Sequence, residues 1–174
     1  LIQLIRVVDS SNNEYCLEAI SPTTSIGELT DSQFNRDGSP ITALGLLMRD
    51  LGVASLPDLT HMIRAADDNR PRSPSWVQVY RELVEWAVLY AIVRTKEFGT
   101  DTLIVADGLL RSKVFARDHF KRYLTLLSES IDSHFKDHRR RIFLVGLAKH
   151  SKVLSRYRLA MALEGVLATD FPGY

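Results

Sequence analysis

The sequence predicts an α/β fold, a mixed sheet with helices on its faces. Three observations lead there. Two apolar, β-branched runs separated by turn residues open the chain. A long and strongly apolar helical stretch occupies its middle. Two short, wholly apolar runs alternate with helical segments behind it. At 174 residues the chain suffices for one domain with a real core.

Residues 2–8 and 14–20 are the apolar runs, and Asp9-Ser10-Ser11-Asn12-Asn13 between them is turn chemistry, so a hairpin is expected. Residues 21–40 are polar, hold Pro22, Gly27, Gly38 and Pro40, and read as an irregular connection. A short amphipathic helix is expected from Ile41 to Leu51, stopped at Gly52, and another from Leu56 to Arg64 with Pro57 in its first turn. Residues 65–74 carry two prolines and no large apolar side chain, which predicts a loop.

The clearest helix runs from Ser75, a plausible N-cap, to Phe98, closed by Gly99. Tyr80, Val84, Ala87, Val88 and Ala91 form one stripe. Trp86, Leu89 and Val93 lie round the back, so this helix should pack on more than one side. Thr102–Ala106 reads as a buried strand ended by Asp107-Gly108. A helix is expected from Val114 to Phe135, a second buried strand from Arg141 to Leu147, and a last helix from Leu154 to Leu167.

Composition excludes several classes. No run of eighteen apolar residues is present, so a membrane span is not expected, and the first residues do not resemble a signal peptide. They hold no initiator Met and start in mid-strand, which suggests that residues precede them. The single Cys16 excludes an internal disulfide framework and a multi-cysteine metal site; a small buried side chain and a cytoplasmic protein are expected. The net charge of +1 hides an asymmetry. Residues 111–158 hold 13 Lys/Arg against 4 Asp/Glu, a balance of +9, and residues 1–110 hold 9 against 15, a balance of −6. Clustered cations suit a polyanion such as nucleic acid; solvated helix faces are the plain alternative.

Four places carry candidate chemistry. Asp107 lies at the carboxyl end of a strand, where sites of open α/β sheets gather, although it also suits a turn or helix cap. Glu82 and Glu85 sit on a largely apolar helix, where a carboxylate needs a cation or an ion pair, for example Arg81 with Glu85. Lys149-His150 follows the second strand. A lysine there can meet a scissile phosphate, or it is a solvated loop cation; His150 is a possible metal ligand or proton carrier. Asp9 could be a first-strand carboxylate but also suits a plain hairpin turn, and Asp37 reads as a turn residue.

Three segments, in order, resemble the NurA nuclease family. They are the helix with Arg81-Glu82-Leu83-Val84-Glu85, the strand Leu103-Ile104-Val105-Ala106-Asp107-Gly108-Leu109-Leu110, and Leu144-Val145-Gly146-Leu147-Ala148-Lys149. The resemblance covers roughly residues 75–167 of what would be one, partial, NurA-like domain over 1–174; residues 1–74 match less clearly. It implies a ribonuclease-H-like fold and a manganese- (or magnesium-) dependent deoxyribonuclease acting on DNA ends and single strands. It also implies a homodimer working with a HerA-type hexameric ATPase in DNA end processing, repair or defence.

On this resemblance Asp107 is the later-strand metal ligand, Glu85 the helical one with Glu82 as alternative, and Lys149 the family lysine. Two departures stand out: Leu109 replaces the usual serine, and neither a first-strand Asp-Gly-Ser nor a carboxyl-terminal histidine is evident, with Asp9 a weak stand-in for the former. Phosphodiester hydrolysis by two metal ions needs several hard oxygen ligands, which is why such carboxylates would be gathered. Arg111, Lys113, Arg117, Lys121, Arg139, Arg140, Arg141 and Lys152 are the expected DNA-seating cations. Tyr123 and Phe120 are candidate stacking aromatics that suit a core equally well. A non-catalytic DNA-binding or regulatory subunit on the same fold is the alternative.

Overall fold

The computed structural model describes residues 3–21, 23–64 and 75–147. Lys149, His150, Lys152, the loop expected at 65–74 and the helix expected at 154–167 lie outside these described residues. The chain divides into two compact units, Leu1–Thr102 with Ser112–Ile142, and Leu103–Arg111 with Phe143–Tyr174.

The first unit opens with the expected hairpin, β1 (Gln3–Val8) and β2 (Glu14–Ile20), antiparallel with Ile5 opposite Glu18. The polar stretch after it is not wholly irregular. It contains α1 (Ile26–Asp31), whose N-cap Ser25 accepts from the Glu28 amide. Ser25 and Glu28 have capping-box spacing, a signal that the prolines and glycines around it obscure. Next comes α2 (Ala43–Leu51), capped by Thr42 and closed by Gly52 in left-handed backbone. The helix expected to reach Arg64 is a single turn, α3 (Leu56–Leu59), because Thr60 leaves helical backbone and donates its hydroxyl to the Val114 carbonyl.

The central helix α4 (Trp76–Thr95) packs against α2, β1, β2 and α5 (His119–His138). This explains its apolar circumference. Both expected stripes are buried apart from Ala91, which is half-buried. Ser75 precedes it as expected, but its side chain makes no cap bond to the helix. A polar chain runs through this core. The Thr42 hydroxyl donates to Gln33 Oε1, Gln33 Nε2 donates to the Tyr80 hydroxyl, and that hydroxyl donates to Glu18 at 2.7 Å. Burial, reinforced by the Glu18 carboxylate, pushes the Tyr80 phenol well above its usual range, so it stays a donor. Gly45 of α2 lets this chain form, since a Cβ there would land on the Gln33 carbonyl oxygen.

Helix α5 begins later than expected. Val114, Phe115 and Ala116 are buried but not helical, because the Ala116 amide donates to the Leu59 carbonyl at 2.8 Å and Arg117 turns into left-handed backbone. Tyr123 and Phe120 stack on one another and pack with Trp86 and Phe115; Tyr123 is buried in the core and Phe120 is half-buried at its edge. Cys16 is half-buried, and burial with the nearby Glu18 and Glu14 raises its thiol to about 11.

Strands β3 (Thr102–Ala106) and β4 (Ile142–Gly146) pair in parallel. The Thr102 amide donates to Arg141 at their amino ends, and the Leu147 amide to Ala106 at their carboxyl ends. Two expectations are corrected here. Among the described residues the hairpin and this pair are separate two-stranded sheets, not one mixed sheet. The strands are also not buried on both faces: Leu103 is 61% exposed and Phe143 51%, because no described element covers the face they share with Val105, Val145 and Leu147. A wholly apolar run signals burial only where cover exists on both sides.

Candidate functional site

Asp107 is exposed at the carboxyl end of β3. The turn that carries it is tight. The Gly108 amide donates back to Ala106 at 3.0 Å, and Gly108 has φ +153°, which side chains rarely adopt. The segment after it lies close over β4: a Cβ on Gly146 would stand 2.5 Å from the Gly108 carbonyl oxygen and 2.9 Å from the Leu110 amide. Gly146, the last residue of β4, therefore sets where the Asp107-Gly108 turn sits, as a strand glycine does where another backbone approaches closely. Because β3 and β4 are parallel, Asp107 and the exit of β4 share one end of the pair. Lys149 follows Leu147 by two positions in sequence.

The two helical glutamates have different surroundings. Glu85 is exposed and pairs with Arg81 at 3.4 Å, the ion pair anticipated from their spacing. Glu82 is half-buried and accepts from the Ser112 hydroxyl at 2.5 Å; the same hydroxyl receives the Val114 amide at 3.2 Å. Glu82 thereby anchors the chain that leads into α5. Sequence reasoning missed Ser112, since an isolated serine in a loop carries no signal until its partner is known. Glu82, Glu85 and Ser112 belong to the first unit and Asp107 to the second.

Asp9 is occupied by its own turn. Its carboxylate accepts from the Ser11 and Asn13 amides, the Asn13 side chain and the Tyr15 hydroxyl. The Asn13 side chain, with the two amides and Tyr15, holds its pKa down to about 2. These bonds are those of a hairpin-turn aspartate. Asp37 is likewise a turn residue, bonded to the Ser39 amide and hydroxyl, which lower its pKa.

Among the described residues no group of three or more His, Cys, Asp or Glu is arranged to hold a metal ion. Asp107 offers a hard oxygen donor of the right kind for manganese or magnesium, but the described residues do not complete a ligand set. Of the expected DNA-seating residues, Arg111, Lys113, Arg117, Lys121, Arg139 and Arg141 are exposed, and Arg140 is half-buried. Among the described residues no helix is long and apolar enough to cross a membrane.

No family model, curated protein or solved structure matches this chain.

Proposed function

We propose that this chain belongs to a divalent-metal-dependent deoxyribonuclease with a ribonuclease-H-like fold of the NurA kind. On this reading it is cytoplasmic, acts on DNA ends and single strands, and works as a dimer beside a HerA-type ATPase. One observation supports this reading most: the parallel pairing of β3 and β4, which puts Asp107 at the same end of the pair as the β4 exit. A strand-end carboxylate beside a strand-end exit loop is where α/β enzymes concentrate their chemistry.

In this reading Asp107 contributes a carboxylate to a manganese or magnesium site, and Lys149 meets the scissile phosphate. The second carboxylate that the resemblance implies is Glu85, with Glu82 the alternative. The metal would supply charge stabilisation and an activated water when bound. The cations of residues 111–141 seat the phosphate backbone without reading sequence. The test is cleavage of labelled single-stranded DNA by the intact protein with added manganese, paired with calorimetric titration of manganese into wild type and Asp107→Asn. Metal-dependent cleavage together with weakened metal binding in the variant supports the reading.

A second reading, a non-catalytic DNA-binding or regulatory subunit, is favoured by the Arg81–Glu85 ion pair, which engages the helical carboxylate. DNA binding without cleavage in the same assay would select it.

A further inference from the structure

Helix α5 separates two cationic clusters with an acidic stretch. Around its amino end the sequence places Lys113, Arg117, Lys121 and Arg122 with one acid, Asp118, and around its carboxyl end Lys136, Arg139, Arg140 and Arg141 with one acid, Asp137, a balance of +3 in each cluster. Between them, residues 123–135 hold no Lys or Arg and two acids, Glu129 and Asp132. Helical spacing puts Lys121, Thr125, Glu129, Asp132 and Lys136 on one face, and all five are exposed. None of the eight cations forms an ion pair with a described carboxylate. The ends of the helix are held at a fixed separation. Twenty residues of α-helix rise about 30 Å.

The two arginines that bracket the helix, Arg117 and Arg139, have φ +51° and +55°. Left-handed backbone is costly for any side chain and cheap for glycine, so the side chains themselves are what these positions keep. Arg139 also lies over the ring of Phe135, 5.6 Å from its centroid, and that ring is itself exposed. Leu124 is exposed on the same flank of the helix.

We propose that α5 binds one single-stranded nucleic acid at two points, a cluster at each end, with the strand bridging the acidic middle. This rests on the reading of the chain as a DNA-handling protein and adds its binding geometry. A rigid duplex laid along the helix would press its regularly spaced phosphates on Glu129 and Asp132. A single strand can arch its backbone away there and turn its bases toward Leu124 and Phe135, because bases stack on aromatic faces without sequence preference. The facing edges of the two clusters, Arg122 and Lys136, are 14 residues apart in sequence, about 21 Å of helix, which equals about 6 nucleotides at the duplex rise of about 3.4 Å, and fewer in a stretched strand.

The test is fluorescence anisotropy of the full chain with oligothymidylates of 4, 8, 12 and 16 nucleotides, with chelator present to prevent cleavage. Two variants, K113A/R117A/K121A and R139A/R140A/R141A, are measured beside wild type, their folding checked by circular dichroism. Joining two weak sites on one strand raises affinity steeply once the strand spans both. Affinity should rise at least tenfold between 4 and 12 nucleotides and change little beyond. Each variant should lose that step and about half of the salt dependence. A smooth, shallow rise in wild type, or a step lost in only one variant, would overturn the bipartite site. Equal affinity for a polyglutamate peptide would overturn it too. The step retained without manganese-dependent cleavage would sink the nuclease reading alone; cleavage retained without the step would sink this proposal alone.

Discussion

The Ser112 hydroxyl donates to the Glu82 carboxylate at 2.5 Å, joining α4 to the segment that leads into α5. Glu85, three residues along the same helix, faces solvent and pairs with Arg81. Two glutamates that look interchangeable in sequence are therefore separable by experiment. Ser112→Ala should destabilise the protein by about 1.5–3 kcal/mol, the range for a hydrogen bond to a charged group. Glu85→Gln should shift stability by at most about 0.5 kcal/mol, since exposed ion pairs contribute little, yet suppress cleavage. Urea unfolding and the manganese-dependent assay read both. Loss of cleavage in a folded Glu82→Gln, with Glu85→Gln fully active, would move the helical carboxylate to Glu82.

Gly146→Ala tests the turn that holds Asp107. The new methyl would meet the Gly108 carbonyl and the Leu110 amide, and backbone cannot give way as a side chain can. Overpacking of this kind costs about 1–3 kcal/mol. Cleavage should fall further than that loss explains, because the turn carrying Asp107 is displaced. A variant with normal activity and an ordinary melting curve would show that Gly146 does not position the turn.

Arg139 closes α5 in left-handed backbone where glycine is preferred. Arg139→Gly should therefore stabilise the fold, by about 0.5–1 kcal/mol after loss of the contact with Phe135. A gain in urea midpoint together with weaker binding of single-stranded DNA is the expected pair of results. A loss of stability would mean that the guanidinium–ring contact outweighs the backbone term.

Acid should weaken the hairpin. Asp9 has a folded pKa of about 2 against an ordinary 3.8. A depressed carboxyl pKa stabilises the fold above the ordinary value, and that stabilisation disappears as pH falls from there through the folded pKa. Urea midpoints of wild type and Asp9→Asn between pH 5 and 2 should converge as acid is added. Parallel curves would show that the turn does not depend on the carboxylate charge.

The elements with strong periodicity were legible in the sequence. The hairpin, the packing of α4 on more than one side and the position of Thr102–Ala106 follow from apolar spacing and turn residues alone. What was not legible depended on partners distant in sequence. The start of α5 is delayed because Leu59 and Thr60 take up Ala116 and Val114. The strand pair looked buried because apolar runs report hydrophobicity and not the cover around it. At the candidate site, Asp107 at a strand end was readable from its context. The division of labour between Glu82 and Glu85 was not, since it turns on Ser112, 30 residues from Glu82.

On the proposed reading Asp107 supports metal-dependent cleavage of DNA. The most direct measurement is the rate at which the intact protein and its Asp107→Asn variant cut end-labelled single-stranded DNA with manganese present. Asparagine keeps the shape of the side chain and removes the anionic charge that would hold a cation. Cleavage should disappear in the variant while its melting curve and its DNA affinity in chelator stay close to wild type. Cleavage by Asp107→Asn at the rate of wild type would contradict the account.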